Sequence, residues 1–425
     1  MSRPAMSETK VRTAPAIVPV GSMPELGVLP ERMHGYAIRR EREGDPTKSF
    51  VSEELPIPEV RPGEVLVQVM AAGVNYNGVW AGRGKPVSVF DMHKDPFHVP
   101  GSDASGIVWK VGVGVQNVKV GDEVIIHCNI TCGQCVFCNG GEPMACRQQK
   151  IWGYETPDGS FAQYTRVQAQ QCLPKPTHLT WEEAGSYALT CFTAWRMLVN
   201  RAEMKAGDDV LVWGGAGGLG VFALQICKLM GARAIAVVSN EDKIEFAKSL
   251  GAVGAIDRRQ FPNLPYKPNE TEEQKALRLK DTKAFGQKIW EIIGEKKGPD
   301  IVFEHVGQST FPASVFLANR FGRIVICGAT TGFELNFDVR HLWMHQKSII
   351  GSHFAHAGEC ATANKMIQQK RITPVLTNTF SYAEIPEAHE KMARNELHGT
   401  VACLVGAPRA GLRNTAETLA VMGAR

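Results

Sequence analysis

The spacing of apolar and polar residues changes period part way along this chain. From about residue 57 to 175, short β-like runs (Glu64–Met70, Gly106–Val111, Glu123–His127, Ala162–Val167) are separated by Gly and Pro. That pattern predicts a small barrel-like β domain. From about 180 to 360 the pattern alternates between helical spacing and short apolar runs. Helices are expected over 182–200, 219–230, 241–250 and 285–293, and strands over 210–213, 234–238, 253–256, 300–304 and 323–327. Such alternation predicts a parallel, doubly wound α/β sheet. A helix over 358–370 and further short strands then return the chain to the β domain. The polar stretch Arg258–Lys283, with Pro262, Pro265 and Pro268, reads as an insertion. The first thirty residues, with Pro4, Pro15, Pro19, Pro24 and Pro30, read as a mobile arm. The expected divisions are 1–185, 186–357 and 358–425.

One junction carries chemistry. The apolar run Val210–Trp213 leads into Gly215, Gly217 and Gly220, which fit G-x-G-x-x-G with Gly218 and Leu219 between them, and helical spacing follows from Val221. Strand, glycine turn and helix in that order predict a dinucleotide site. The glycines let the backbone approach a pyrophosphate, and the helix N-terminus offers it free N–H groups. A glycine turn of an unrelated α/β domain is the alternative. The next strand selects the cofactor. A carboxylate about 20 residues past the glycines suits a free ribose hydroxyl. Here the tip reads Val238-Ser239-Asn240, with Lys243 one turn on and Arg258 after the following strand. Ser239, Lys243 and Arg258 suit a phosphate ester, so NADPH is favoured over NADH. Glu241 and Asp242 read as first-turn residues that favour the helix dipole. Lys243 as an ordinary solvated lysine is the plainer alternative.

Composition narrows the class. A chain of 425 residues exceeds one core and implies two domains. The net charge of +4 comes from interspersed charges, with no basic stripe for nucleic acid. No apolar run approaches the roughly 18 residues of a membrane span, and no secretory signal opens the chain. A cytoplasmic protein is expected, as a homodimer or homotetramer. Of eleven cysteines, Cys132, Cys135, Cys138 and Cys146 fit C-x2-C-x2-C-x7-C. That spacing suits one structural Zn²⁺ per chain, closed by four thiolates; disulfides within the cluster are the alternative. The other seven lie mostly in apolar runs and read as small buried hydrophobes.

The β domain, Gly121-Asp122-Glu123-Val124, the four-cysteine lobe and the AGGLG turn resemble the medium-chain dehydrogenase/reductase superfamily over roughly 55–405. The resemblance implies a GroES-like β domain beside a Rossmann domain. Zinc alcohol dehydrogenases of that group hold a catalytic metal with a Cys and a His-Glu pair. The matching positions here are Asn75 and Ser102-Asp103, and Asn and Ser do not replace a thiolate and an imidazole on zinc. This points to the zinc-independent enoyl and quinone reductases. Longer blocks, including AAGVNYNGVWAG (71–82), GSDASGIVW (101–109), IWGYETPDGSFAQYTRVQAQQ (151–171), TTGF (330–333), LWMHQK (342–347) and IIGSHFA (349–355), resemble the crotonyl-CoA carboxylase/reductase family. The complete four-cysteine lobe departs from that family's pattern.

The resemblance implies that NADPH delivers hydride to the β-carbon of crotonyl-CoA or a related enoyl-CoA, and that the resulting enolate captures CO2 to give ethylmalonyl-CoA. Plain reduction to a saturated acyl-CoA is the alternative. It also implies that Asn77 donates to CO2, that Tyr154 shields the pocket, and that Glu155 and His353 hold an ordered water. Arg340 is implied as a contact to CoA. Otherwise Asn77 is a turn residue, Glu155 a backbone acceptor and His353 a buried core histidine.

Overall fold

The computed structural model describes residues 15–423. Its first nine strands are β1 (Arg32–Ala37), β2 (Val51–Pro56), β3 (Glu64–Gly73), β4 (Ala104–Val111), β5 (Glu123–Ile126), β6 (Asn129–Ile130), β7 (Lys150–Ile151), β8 (Tyr164–Gln168) and β9 (Cys172–Pro174). Six more follow: β10 (Asp209–Val212), β11 (Arg233–Val238), β12 (Ala252–Asp257), β13 (Ile301–Glu304), β14 (Arg323–Ile326) and β15 (Ser348–Gly351). The last two are β16 (Leu376–Phe380) and β17 (Thr400–Leu404).

A seven-stranded sheet runs in the order β16-β17-β3-β4-β5-β9, with β8 also on β3. β3 is buried from Val65 to Gly73, because both of its faces and both of its edges are covered. β17 lies antiparallel to β3 with Ala402 opposite Gly73, which returns the end of the chain to the first domain. The second sheet is six-stranded and parallel, in the order β12-β11-β10-β13-β14-β15. This is the doubly wound order, with its switch point between β10 and β13. Two cores flank it. One packs Val221, Phe222, Leu224 and Ile226 of the Gly218–Met230 helix; the other packs Phe285, Ile289 and Phe311. Each such buried side chain contributes roughly 1.5–3 kcal/mol.

Three sequence expectations need correction. The helix expected over 285–293 runs from Glu272 to Ile293. Thr271 and Gln274 close a capping box at its start (Thr271 N–H to Gln274 Oε1, 2.9 Å; Gln274 N–H to Thr271 Oγ1, 3.2 Å), so the second half of the supposed insertion is helix. The helix expected over 182–200 is broken into Trp181–Ala184 and Ala188–Trp195, followed by a π-helical turn to Arg201. Gly185 lies against the Ala71 carbonyl, where a Cβ would stand 2.7 Å away. Finally, the part of the N-terminal arm from Pro15 onward is docked. The Pro15 and Ala16 carbonyls accept from Glu31 and Arg32 N–H (3.1 and 3.0 Å). Gln163 Nε2 and Trp109 Nε1 donate to the carbonyls of Val18 and Val28 (3.0 and 2.9 Å). The arm expectation for residues 1–14, with Pro4, lies outside the described residues. Among the described residues no helix is long and apolar enough to cross a membrane.

Candidate active site and metal lobe

Asn77 sits in the first turn of the helix Tyr76–Arg83, which Asn75 precedes as N-cap. Its Nδ2 donates to the Oγ of fully buried Ser102 at 2.7 Å. The next residue, Asp103, is also fully buried. It accepts from the N–H groups of Ala188 and Leu189 (3.1 and 3.3 Å) and, more distantly, from Asn75 Nδ2 (3.5 Å). Burial pushes its carboxyl well above the usual range, against those donors. Positions that would carry a catalytic metal in zinc alcohol dehydrogenases are therefore a hydrogen-bonded frame under Asn77.

The segment that carries Tyr154 and Glu155 is anchored at Gly153. Gly153, at φ 74°, packs so closely on Gly101 that a Cβ would stand 1.9 Å from the Gly101 carbonyl; only glycine fits. Tyr154 OH donates to the Lys85 carbonyl at 3.1 Å, just past the Asn77 helix. Burial, and then the charge of Glu155, hold its phenol up at about 12, so it remains a donor at neutral pH. Glu155 Oε2 accepts from Ile151 N–H at 2.7 Å, the bond of the plainer expectation. His353 is exposed on the loop after β15 and is therefore not a buried core histidine. Protein atoms still crowd its ring: desolvation, and then the nearby Arg196 charge, lower its pKa. Its ring stands edge-on to Phe354 at 4.5 Å. Phe354 has φ 44°, a conformation bulky residues rarely adopt, and packs on the same core as Tyr154. Among the described residues no hydrogen bond joins Glu155 to His353. Asn77 and Tyr154 are thus linked through Ser102–Gly101, Gly153 and the Lys85 carbonyl, whereas His353 lies on the loop that follows the edge strand β15 of the other sheet.

Arg196 was not singled out from sequence. It spans Glu359 (2.7 Å) and Glu142 of the cysteine lobe (2.9 Å). Also missed was a cleft of about 530 Å³ between the domains, lined by Tyr76, Trp80, Arg83, Lys85, Thr330 and Phe333. Trp80 and Phe333 face each other across it, with centroids 6.3 Å apart. Both lie inside the quoted NYNGVWAG and TTGF blocks, which was the available signal.

The glycine turn follows β10. Gly215 lies against Ala236 of β11. Gly217 caps the helix without a side-chain bond, and Gly218, Leu219 and Gly220 form its first turn. These are the N–H groups a helix leaves unpaired. At the tip of β11, Lys243 Nζ donates to Ser239 Oγ at 3.1 Å. Burial, and then the charge of Arg258, lower the Lys243 pKa. Asp257, buried at the end of β12, is closed off by a bidentate pair with Arg259 (3.2 and 2.8 Å). Arg340 is exposed and forks onto Asp338 (2.9 and 2.6 Å).

In the lobe, Cys132, Cys135, Cys138 and Cys146 bring all four Sγ atoms within 4.8 Å of one another. Three sulfur pairs lie at 3.5, 3.6 and 3.8 Å. Disulfide sulfurs stand about 2.05 Å apart, and all eleven cysteines are free. A tetrahedral ion with bonds of about 2.3 Å has sulfur–sulfur edges of about 3.8 Å, so the cluster fits a metal. Backbone N–H groups of Gln134 and Cys135 hold the Cys132 thiol down at about 6.

The two sheets, the glycine turn and the cysteine lobe define a medium-chain dehydrogenase/reductase that lacks the catalytic zinc ligands. Residues 61–177 match the alcohol dehydrogenase GroES-like domain and residues 218–369 the zinc-binding dehydrogenase family. A crotonyl-CoA carboxylase/reductase of Cereibacter sphaeroides is 52% identical over 94% of both chains. A solved crotonyl-CoA carboxylase/reductase superposes with a TM-score of 0.90 at 50% identity, covering 96% of each chain. The 2-octenoyl-CoA carboxylase reductase CinF, solved with NADP and 2-octenoyl-CoA, gives a TM-score of 0.85 at 37% identity over 92% of each. The chain belongs to the crotonyl-CoA carboxylase/reductase family.

Proposed function

We propose that this protein carries out the NADPH-dependent reductive carboxylation of crotonyl-CoA or a related enoyl-CoA, giving ethylmalonyl-CoA from crotonyl-CoA. The observation that carries this reading is the Asn77 amide, fixed by Ser102 where a metal-ligating pair would otherwise stand. When bound, NADPH supplies a hydride to the β-carbon, and electron density gathers on the α-carbon and thioester oxygen. That pair then forms the new bond to the carbon of CO2, and the charge ends on the product carboxylate; a proton at the same carbon gives the saturated thioester instead. An Asn amide has two N–H donors. Ser102 takes one, and the other serves an oxygen of CO2. Tyr154 keeps bulk water from the α-carbon. Glu155 and His353 share a water that steadies CO2. The test is crotonyl-CoA turnover with NADPH, with and without bicarbonate plus carbonic anhydrase. CO2-dependent formation of a carboxylated thioester supports the reading; saturated product alone supports plain reduction.

Cofactor choice rests on Ser239, Lys243 and Arg258. A hydrogen bond to a charged group contributes about 1.5–3 kcal/mol, so Lys243→Ala is expected to raise KM for NADPH about tenfold or more and leave NADH nearly unchanged. Equal efficiency of the wild-type enzyme with both cofactors would contradict the assignment. The cysteine lobe is assigned one Zn²⁺ per chain. Metal analysis of protein purified without chelator is expected to give about one zinc per chain, and stripping it to lower Tm; metal-free protein of unchanged Tm would refute this. Arg340 is assigned to a CoA phosphate, exchanging Asp338 for it. An Arg340→Ala enzyme with unchanged KM for the CoA ester would remove it from the site.

A further inference from the structure

Resting on the carboxylation reading above, we propose that His93 and His98 form a one-directional hydrogen-bond chain that positions the Tyr154–Glu155 wall, and so sets how the enolate divides between CO2 and a proton. His98 Nε2 lies 3.3 Å from the Gly153 carbonyl. A carbonyl oxygen only accepts, so Nε2 carries the proton and Nδ1 is bare. That Nδ1 lies 3.0 Å from His93 Nε2, which must then donate. His93 Nδ1 is left as an acceptor, and the Asp95 N–H meets it at 3.3 Å. The two rings are nearly parallel, 11° apart with centroids at 5.3 Å. Every link agrees in direction with both rings neutral.

Neutrality follows from the surroundings. His98 is fully buried; burial, and then the nearness of His93, pull its pKa down to about 3. Burial lowers His93 too, against the Asp95 carboxylate 3.5 Å away and with Lys150 adding to the lowering. The chain ends on a carbonyl, not on a titratable group, so it holds a position and does not deliver a proton.

What it holds is the closest backbone approach in the site. Gly153 rests on Gly101, with no room for a Cβ. Tyr154 and Glu155 follow Gly153, and Ser102, the partner of Asn77, follows Gly101. The spacing of Gly153 from Gly101 therefore sets the spacing of Tyr154 from Asn77. The His98 backbone is itself pinned, exchanging both of its bonds with Ile38 (2.8 and 3.0 Å). A misplacement of about 1 Å around a reacting centre can cost about a hundredfold in rate.

The test compares His98→Leu, His98→Gln and His93→Leu with wild type for the ratio of carboxylated to saturated thioester at saturating CO2. NADPH oxidation without CO2 and KM for NADPH are measured alongside. His98→Leu removes both bonds; the saturated fraction is expected to rise about tenfold while NADPH oxidation without CO2 stays within about twofold. His98→Gln keeps an acceptor toward His93 and a donor toward Gly153 and is expected to restore the wild-type ratio. His93→Leu removes only the outer link, shifts the ratio less, and decides the matter if His98→Leu does not fold. Wild-type ratios in both leucine variants would overturn the proposal, as would a loss of NADPH oxidation with the ratio unchanged. If the wild-type enzyme itself forms no carboxylated thioester, the carboxylation reading fails and this role falls with it. If it does and the leucine variants match it, only the role of the histidines fails.

Discussion

An Asn77→Leu enzyme is expected to go on oxidising NADPH with crotonyl-CoA while releasing mainly the saturated thioester. An amide donates hydrogen bonds and has no hydride to give. Its proposed work begins once the enolate exists, when an electrophile must already be in place over the α-carbon. CO2 is neutral and weakly held, so the loss of one oriented donor matters more for it than for a well-anchored substrate. A neutral hydrogen bond contributes about 0.5–1.5 kcal/mol, and leucine also strands the buried Ser102 hydroxyl that now accepts from Asn77. Together these point to a shift of about tenfold in product ratio. Thioester products separated by chromatography measure it directly. A leucine variant that divides its product as wild type does would remove Asn77 from the carboxylation step.

The second large effect is expected at Gly220. A Cβ there would stand 2.2 Å from the Gly214 carbonyl and 2.6 Å from the Gly215 Cα. Both are backbone atoms that cannot swing aside, so Gly220→Ala must open the turn or move the Gly218–Met230 helix. Overpacking of this kind costs about 1–3 kcal/mol. It also displaces the first-turn N–H groups that would meet a pyrophosphate. The variant is expected to lose NADPH binding by at least tenfold, read by fluorescence titration, together with a lower Tm. Unchanged NADPH affinity would mean that the turn is not the cofactor cradle.

How much of this was legible in the chain depends on how local the cause is. The switch from β-like runs to strand–helix alternation announced both sheets, because side-chain period is a local property. The glycine turn was equally legible: Gly215, Gly217 and Gly220 lie next to a buried strand and an apolar helix face. The missing carboxylate at the tip of β11 was visible too, and Asp257, a strand further on, proves to be tied up by Arg259. The start of the Glu272–Ile293 helix was written in Thr271-Glu272-Glu273-Gln274, a capping box hidden by the prolines and charges before it.

The site itself was less legible. That Asn77 rests on Ser102, and that Gly153 rests on Gly101, depends on contacts between segments 25 and about 50 residues apart. No spacing rule reaches across such distances. Arg196 sits in an apolar helical stretch and gave no sign that it would span Glu142 and Glu359. His353 pointed the other way, since a lone histidine ordinarily reads as core, yet the loop leaves it exposed. Family resemblance supplied Asn77, Tyr154, Glu155 and His353 as candidates; the fold supplied Ser102 and the Lys85 carbonyl as partners of the first two.

The most direct test of the central claim is the fate of labelled carbon. Purified protein would be given crotonyl-CoA, NADPH and ¹³C-bicarbonate with carbonic anhydrase, and the thioesters analysed by mass spectrometry. Ethylmalonyl-CoA carrying one ¹³C for each NADPH consumed is the expected result. Butyryl-CoA as the sole product at saturating CO2, with no label incorporated, would contradict it.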